Sequence, residues 1–192
     1  MKVPLLIGLL LLGSTAVHAD PKPVGTTPSF ETRILMAHNA ERARLRQSPL
    51  IWSARLAENA EKWARTLAKT GAFEHAPQSM EGENLWAGTQ GDYSPEEMVG
   101  FWIDEKKFFT AGKFPQVSSS GNWTDVGHYT QLIWYDTTQL GCALATGSHE
   151  DVLVCRYDPP GNWIGKRPLG ETAKSNSAAQ KPKKLPLKPK LK

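Results

Sequence analysis

The chain of 192 residues has few of the residues that carry common chemistries, and each shortage excludes something. It holds two cysteines, Cys142 and Cys155, thirteen residues apart, too far for a metal-binding C-x-x-C pair. No Gly-x-Ser-x-Gly occurs, so the nucleophile elbow of a serine hydrolase is excluded. No H-E-x-x-H occurs, so two histidines on one helix face cannot hold zinc in that manner. Gly82, Gly88 and Gly91 lack the strand-turn-helix context of a phosphate-cradling loop. Long apolar runs are also scarce. The one at Leu5–Leu12 falls well short of the roughly 20 residues that a bilayer-crossing helix needs. Finally, Thr172–Lys192 contains no acidic residue.

The two ends differ from the middle. Residues 1–19 carry Lys2, the short apolar run, and small residues Val17 and Ala19. This pattern reads as a secretory signal cut after Ala19, which predicts a secreted or periplasmic protein with no transmembrane segment after cleavage. Residues 20–29 form a Pro/Gly-rich lead-in, and the domain is expected over 30–168. Residues 169–192 form a basic tail with seven lysines and with prolines at 182, 186 and 189, which oppose a helix. The segment between Asp20 and Glu171 has a net charge of −4, and the residues after it +7. The basic balance therefore belongs to the tail, and nucleic acid is not an expected partner of the body. The tail suits an anionic envelope polymer or lipid surface, or serves as a plain solvated linker.

Helices are expected from Ser29 or Phe30, from Ser53 to a Gly71 C-cap, and from Ser94 to about Lys107. Ser94-Pro95-Glu96-Glu97 reads as a capping box. Trp63 falls on the apolar face of the second helix and is expected in the core. Residues 72–93 and 108–125 read as loops. Three strand-like runs follow, Tyr129–Trp134, Gln139–Ala145 and Asp151–Tyr157. Folding the last two about Gly147–Glu150 sets Cys142 opposite Cys155. An exported chain meets oxidising conditions, so a Cys142–Cys155 disulfide is expected. Both faces of this hairpin are apolar and call for helical cover. The predicted fold is α+β, a three-layer α-β-α sandwich with a central antiparallel sheet.

Four histidines lie beyond residue 19. His149 sits in the hairpin turn and His38 inside the first helix, where a packing or hydrogen-bonding role fits. His75 and His128 lie in or beside loops rich in Gly, Pro and aromatics, and Glu83 and Glu105 are not part of a charged surface stripe. Two imidazoles and two carboxylates have the chemistry to bind a divalent cation or exchange protons. Their spacing alone does not unite them, since His75 and His128 are 53 residues apart. Asn122-Trp123-Thr124 fits a glycosylation sequon.

Five segments, in order, resemble the CAP superfamily of cysteine-rich secretory, antigen 5 and pathogenesis-related proteins, with its SCP domain. They are "HNAER" at 38–42, "PLIWSARLAENAEKWA" at 49–64, "GENLW" at 82–86, "GHYTQLIWYDT" at 127–137 and "VLVCRYDPPGNW" at 152–163. The resemblance covers about residues 30–165 and is nearest the plant-type members, although most plant-type cysteines are missing. It implies an α-β-α sandwich with a cleft formed by His75, Glu83, Glu105 and His128. It implies zinc or another divalent cation on His75 and His128, supported by the glutamates. It also implies sterol or fatty-acid binding, in which Phe108, Phe109, Phe114 and Trp123 would wall the ligand. The same aromatics would otherwise pack their own loop onto the sheet. The expected role is a non-enzymatic binding module. The alternatives are a zinc-assisted protease or esterase in the same cleft, and a defence or antimicrobial effector acting through its surface.

Overall fold

The computed structural model describes residues 27–148 and 150–171. The expected signal segment, His149 and the residues after Glu171 lie outside the described residues. Helix α1, Phe30–Arg44, starts on a Ser29 cap that accepts from Thr32 N. A two-residue strand β1, Ile51–Trp52, leads directly into α2, Ala54–Thr70. The ends of α2 are those expected: the Ser53 side chain accepts from Leu56 N, and Gly71 takes a left-handed φ of 72°. Helix α3, Pro95–Asp104, opens on the full Ser94–Glu97 capping box and continues as a 3-10 turn over Glu105–Lys107.

Two expectations are corrected. The segment 72–93, read as loop, contains strand β2, Gly82–Thr89. Its two glycines and the polar pair Glu83–Asn84 hide its alternation. The run Tyr129–Trp134, read as a strand, lies instead largely in helix α4, Gly127–Leu132, after a 3-10 turn over Trp123–Val126. Tyr129, Thr130, Gln131 and Leu132 are all buried, so no polar-out face exists to support a strand. The polar members are satisfied largely by the segment after β4: Thr130 Oγ1 donates to Gly127 O and to Asn162 Oδ1, and Gln131 Oε1 accepts from Gly161 N. Arg42, fully buried, fixes the end of α4. Its guanidinium donates to the carbonyls of Ser48, Leu132, Trp134 and Thr137 at 2.8–3.0 Å.

Strands β3, Gln139–Thr146, and β4, Glu150–Asp158, form the expected hairpin with Cys142 opposite Cys155, joined by the disulfide. The sheet order is β1-β3-β4-β2. It is mixed, because β1 joins β3 in parallel while the other pairings are antiparallel. One face packs Trp86, Leu140, Leu153 and Tyr157 with Ile34 of α1, Trp102 of α3 and Leu132 of α4. The opposite face packs Leu85, Val152 and Val154 against Ala60, Ala64 and Leu67 of α2. Trp63 is only half-buried at the margin of that second cluster, with Nε1 donating to Glu74 O. Helix α2 presses close to the sheet. A Cβ on Gly141 would lie 2.2 Å from Ala57 N, so only glycine fits there.

The disulfide closes a segment with a sequence separation of 13 and lies in the core, both half-cystines being buried. The Cys142→Ala/Cys155→Ala variant is expected to lose about 3 kcal/mol, read from the urea midpoint, by regaining chain entropy in the unfolded state.

Candidate functional site

Strand β2 positions the four residues of the expected cleft. Side chains at 83 and 84 leave a strand on opposite faces. Glu83 points with Leu85 toward the α2 layer, and Asn84 points with Trp86 toward the layer of α1, α3 and α4. Glu83 Oε1 accepts from His75 Nδ1 at 2.6 Å and from Ala76 N at 3.1 Å. Its second oxygen faces buried Arg156 across a 2.8 Å ion contact that lacks hydrogen-bond alignment, while Arg156 donates to Ser79 Oγ. Glu105, in the turn after α3, accepts from His128 Nδ1 at 2.6 Å and from Tyr129 N at 3.0 Å. Asn84 Nδ2 donates to His128 O, and the His128 ring stacks on Trp102 with centroids 6.1 Å apart.

The two pairs are therefore built alike. In each, one carboxylate takes Nδ1 of a histidine and a backbone N–H from the residue that follows it. A carboxylate only accepts, so Nδ1 carries the proton and the lone pair of the neutral imidazole sits on Nε2. Among the described residues neither Nε2 has a hydrogen-bond partner. Such a carboxylate-oriented imidazole is suited to a metal ion or to accepting a proton. No group of three or more His, Cys, Asp or Glu among the described residues is placed to hold a metal ion. The hydrogen bond to Glu83 raises the pKa of His75, whose side chain is 68 % exposed.

The aromatic segment divides in two. Phe114 is buried between Trp123 and Trp134 in the core, and Phe109, partly buried, packs against the core edge-on to Tyr129. Phe108 and Trp123 are exposed. Phe108 follows the turn that carries Glu105, and the Trp123 ring lies 3.2 Å from the Cβ position of Gly127, next to His128. The His128–Glu105 pair is thus flanked in the chain by two exposed aromatics.

Several contributors escaped sequence reasoning. Asn84 lay inside the quoted "GENLW" without a role. Arg156 had a legible signal, an arginine inside the apolar run "VLVCRY", which requires a buried partner. His38 joins the site from beneath: Nε2 meets Tyr157 Oη at 2.9 Å, and Asn84 Nδ2 donates to that same oxygen. His38 Nδ1 donates to Ile34 O.

The sequence matches the Cysteine-rich secretory protein family, CAP, over residues 35–157. The chain belongs to this family. It is 34 % identical over 142 residues to the pathogenesis-related protein PR-1 of Medicago truncatula, covering 73 % of this chain and 79 % of that relative. It is 32 % identical over 167 residues to the pathogenesis-related protein PRMS of Zea mays, covering 85 % and 94 %. Among solved structures, NaASP2 with Zn2+ superposes with a TM-score of 0.63 at 22 % identity, covering 76 % of this chain and 88 % of that one. That likeness establishes the shared CAP fold: four helices around a four-stranded mixed sheet. No helix among the described residues is long and apolar enough to cross a membrane.

Two measurements follow. Glu83→Gln is expected to bring the His75 pKa down toward its ordinary value in an NMR titration; an unmoved pKa contradicts the pairing. Burial, with the Arg42 charge as a lesser contributor, lowers the His38 pKa to about 4. The unfolded chain then binds this proton more readily than the folded one. Stability is complete above the unfolded value of about 6.5 and falls by about 3 kcal/mol as pH drops to about 4. His38→Gln is expected to remove that part of the slope in urea melts taken across this range.

Proposed function

We propose that this CAP protein is an exported, non-enzymatic binding module that holds a divalent cation on His75 and His128 and an amphipathic apolar ligand beside them. The observation that carries the reading is the pair of carboxylate-held imidazoles, each with Nε2 unengaged among the described residues. Zinc suits neutral imidazole nitrogen, and the glutamates would keep both rings in the metal-binding tautomer. A bound cation would supply Lewis acidity and a docking point for an acidic or hydroxyl headgroup. Exposed Phe108 and Trp123 would receive the apolar body of a sterol or fatty acid.

A zinc hydrolase is less well supported. Catalytic zinc usually takes three protein ligands, and no group of three or more His, Cys, Asp or Glu among the described residues is placed to hold a metal ion. The signal-like first 19 residues support export, and the tail lysines support contact with anionic surfaces.

Calorimetric titration with zinc tests the site. The wild type is expected to bind, and His75→Ala or His128→Ala to weaken binding by at least about tenfold, a loss of about 1.4 kcal/mol. Affinity is expected to fall as pH drops through the raised pKa of His75, because the proton and the metal compete. Zinc binding unchanged in both variants would overturn the assignment. Sterol and fatty-acid binding to the Phe108→Ala/Trp123→Ala variant tests the apolar part, and ligand binding equal to wild type would overturn that part.

A further inference from the structure

The C-terminal end of the domain carries an apolar apex. Trp163 and Ile164 are adjacent, 54 % and 82 % exposed. They project from a tight turn closed by Lys166 N donating to Trp163 O, with Gly165 at a φ of 82°. The turn is strapped to the aromatic segment in both directions: Gly165 N donates to Phe114 O at 2.7 Å, and Phe114 N donates to Lys166 O at 2.8 Å. Phe114 in turn packs against Trp123, which is 43 % exposed. The apex is therefore held by backbone bonds on a buried aromatic base.

Its chemistry is that of a bilayer interface. Tryptophan favours the headgroup level, where its ring is in an apolar phase and its edge is wet. The Trp163 indole N–H already donates to Pro160 O, so the ring can leave water without stranding a donor. Lys113 and Lys166, both exposed, are the chain neighbours of the two strapping backbone bonds. Lys166 lies 3.9 Å from Asp136, and Arg167 pairs with Glu171. Beyond Glu171 follow seven lysines and no acid. Stable anchoring to a membrane surface takes two signals, and an inserted apolar group with a polybasic segment supplies both.

We propose that the Trp163–Ile164 turn is a membrane-docking wedge: it enters the interface of an anionic bilayer while Lys113, Lys166 and the tail lysines contact lipid headgroups. The wedge goes beyond the cleft reading and does not depend on a cation or a ligand at His75 and His128.

The test uses the exported protein with phosphatidylcholine vesicles, with and without phosphatidylglycerol. Wild type is expected to cosediment with the anionic vesicles, and brominated lipid is expected to quench part of its tryptophan emission. The Trp163→Ala/Ile164→Ala variant keeps both strapping bonds and the whole tail. It is expected to lose at least about tenfold in vesicle affinity and to lose the Trp163 share of the quenching, at an unchanged melting temperature. Its zinc titration is expected to match wild type, which separates failure of the wedge from failure of the cleft assignment. Vesicle binding by this variant equal to wild type would mean that the tail alone tethers the protein and would overturn the wedge. Wild type that binds soluble anionic polysaccharide but no vesicle would overturn it as well.

Discussion

The buried guanidinium of Arg42 is the contact on which the arrangement of the site rests. It lies inside the layer of α1, α3 and α4 and bonds to carbonyls from three separate stretches, at Ser48, at Leu132 and Trp134, and at Thr137. A six-residue helix such as α4 has little stability of its own, because nucleation consumes most of what so few hydrogen bonds return. Arg42 compensates by satisfying carbonyls at and beyond the C-terminus of α4, where a positive charge also complements the helix dipole. His128 is the second residue of that helix, so its position is inherited from an arginine on α1. A lysine would not substitute, since one ammonium cannot fork to four carbonyls.

The first buried stripe of the chain shows where sequence reading succeeds and where it stops. Ser53, Gly71 and Ser94 announced their helix ends because capping is local chemistry, settled within three or four residues. The Cys142–Cys155 register was legible for a related reason, since a short hairpin fixes pairing once its turn is placed. Helix α1 was harder. Its buried positions are Ile34, His38, Glu41 and Arg42, so three of four are polar, and a search for apolar periodicity sees only Ile34. Those residues are buried because their partners, Tyr157, Tyr129 and the α4 carbonyls, arrive from 88 or more residues away. Strand β2 and helix α4 failed for the same reason. Their polar residues are matched by distant groups that no local pattern displays.

The residues of the candidate site were legible only through ordered resemblance to a family, and what the structure adds is their grouping. Glu83 of the edge strand β2 holds His75, and Glu105 of the turn after α3 holds His128. Each carboxylate is itself held by a backbone N–H, so each imidazole is oriented by a group that does not swing freely. The two halves differ in surroundings. The His75 pair leans on a buried ion contact with Arg156, whereas the His128 pair leans on the flat face of Trp102. One half is tuned by charge and the other by packing.

The bare backbone of Gly141 has a mechanical meaning. With Ala57 N at 2.2 Å from where a Cβ would stand, α2 and β3 are in contact main chain to main chain. Two layers that touch in this way have no side-chain cushion to deform, and a sliding movement of α2 along the sheet would drive peptide into peptide. The helix is a fixed wall. The chain between Gly71 and β2, which presents His75, hangs from one end of that wall and from the start of the edge strand. Any displacement of His75 relative to the two layers must arise within this short span, as a hinge anchored at both ends rather than as a shear between layers.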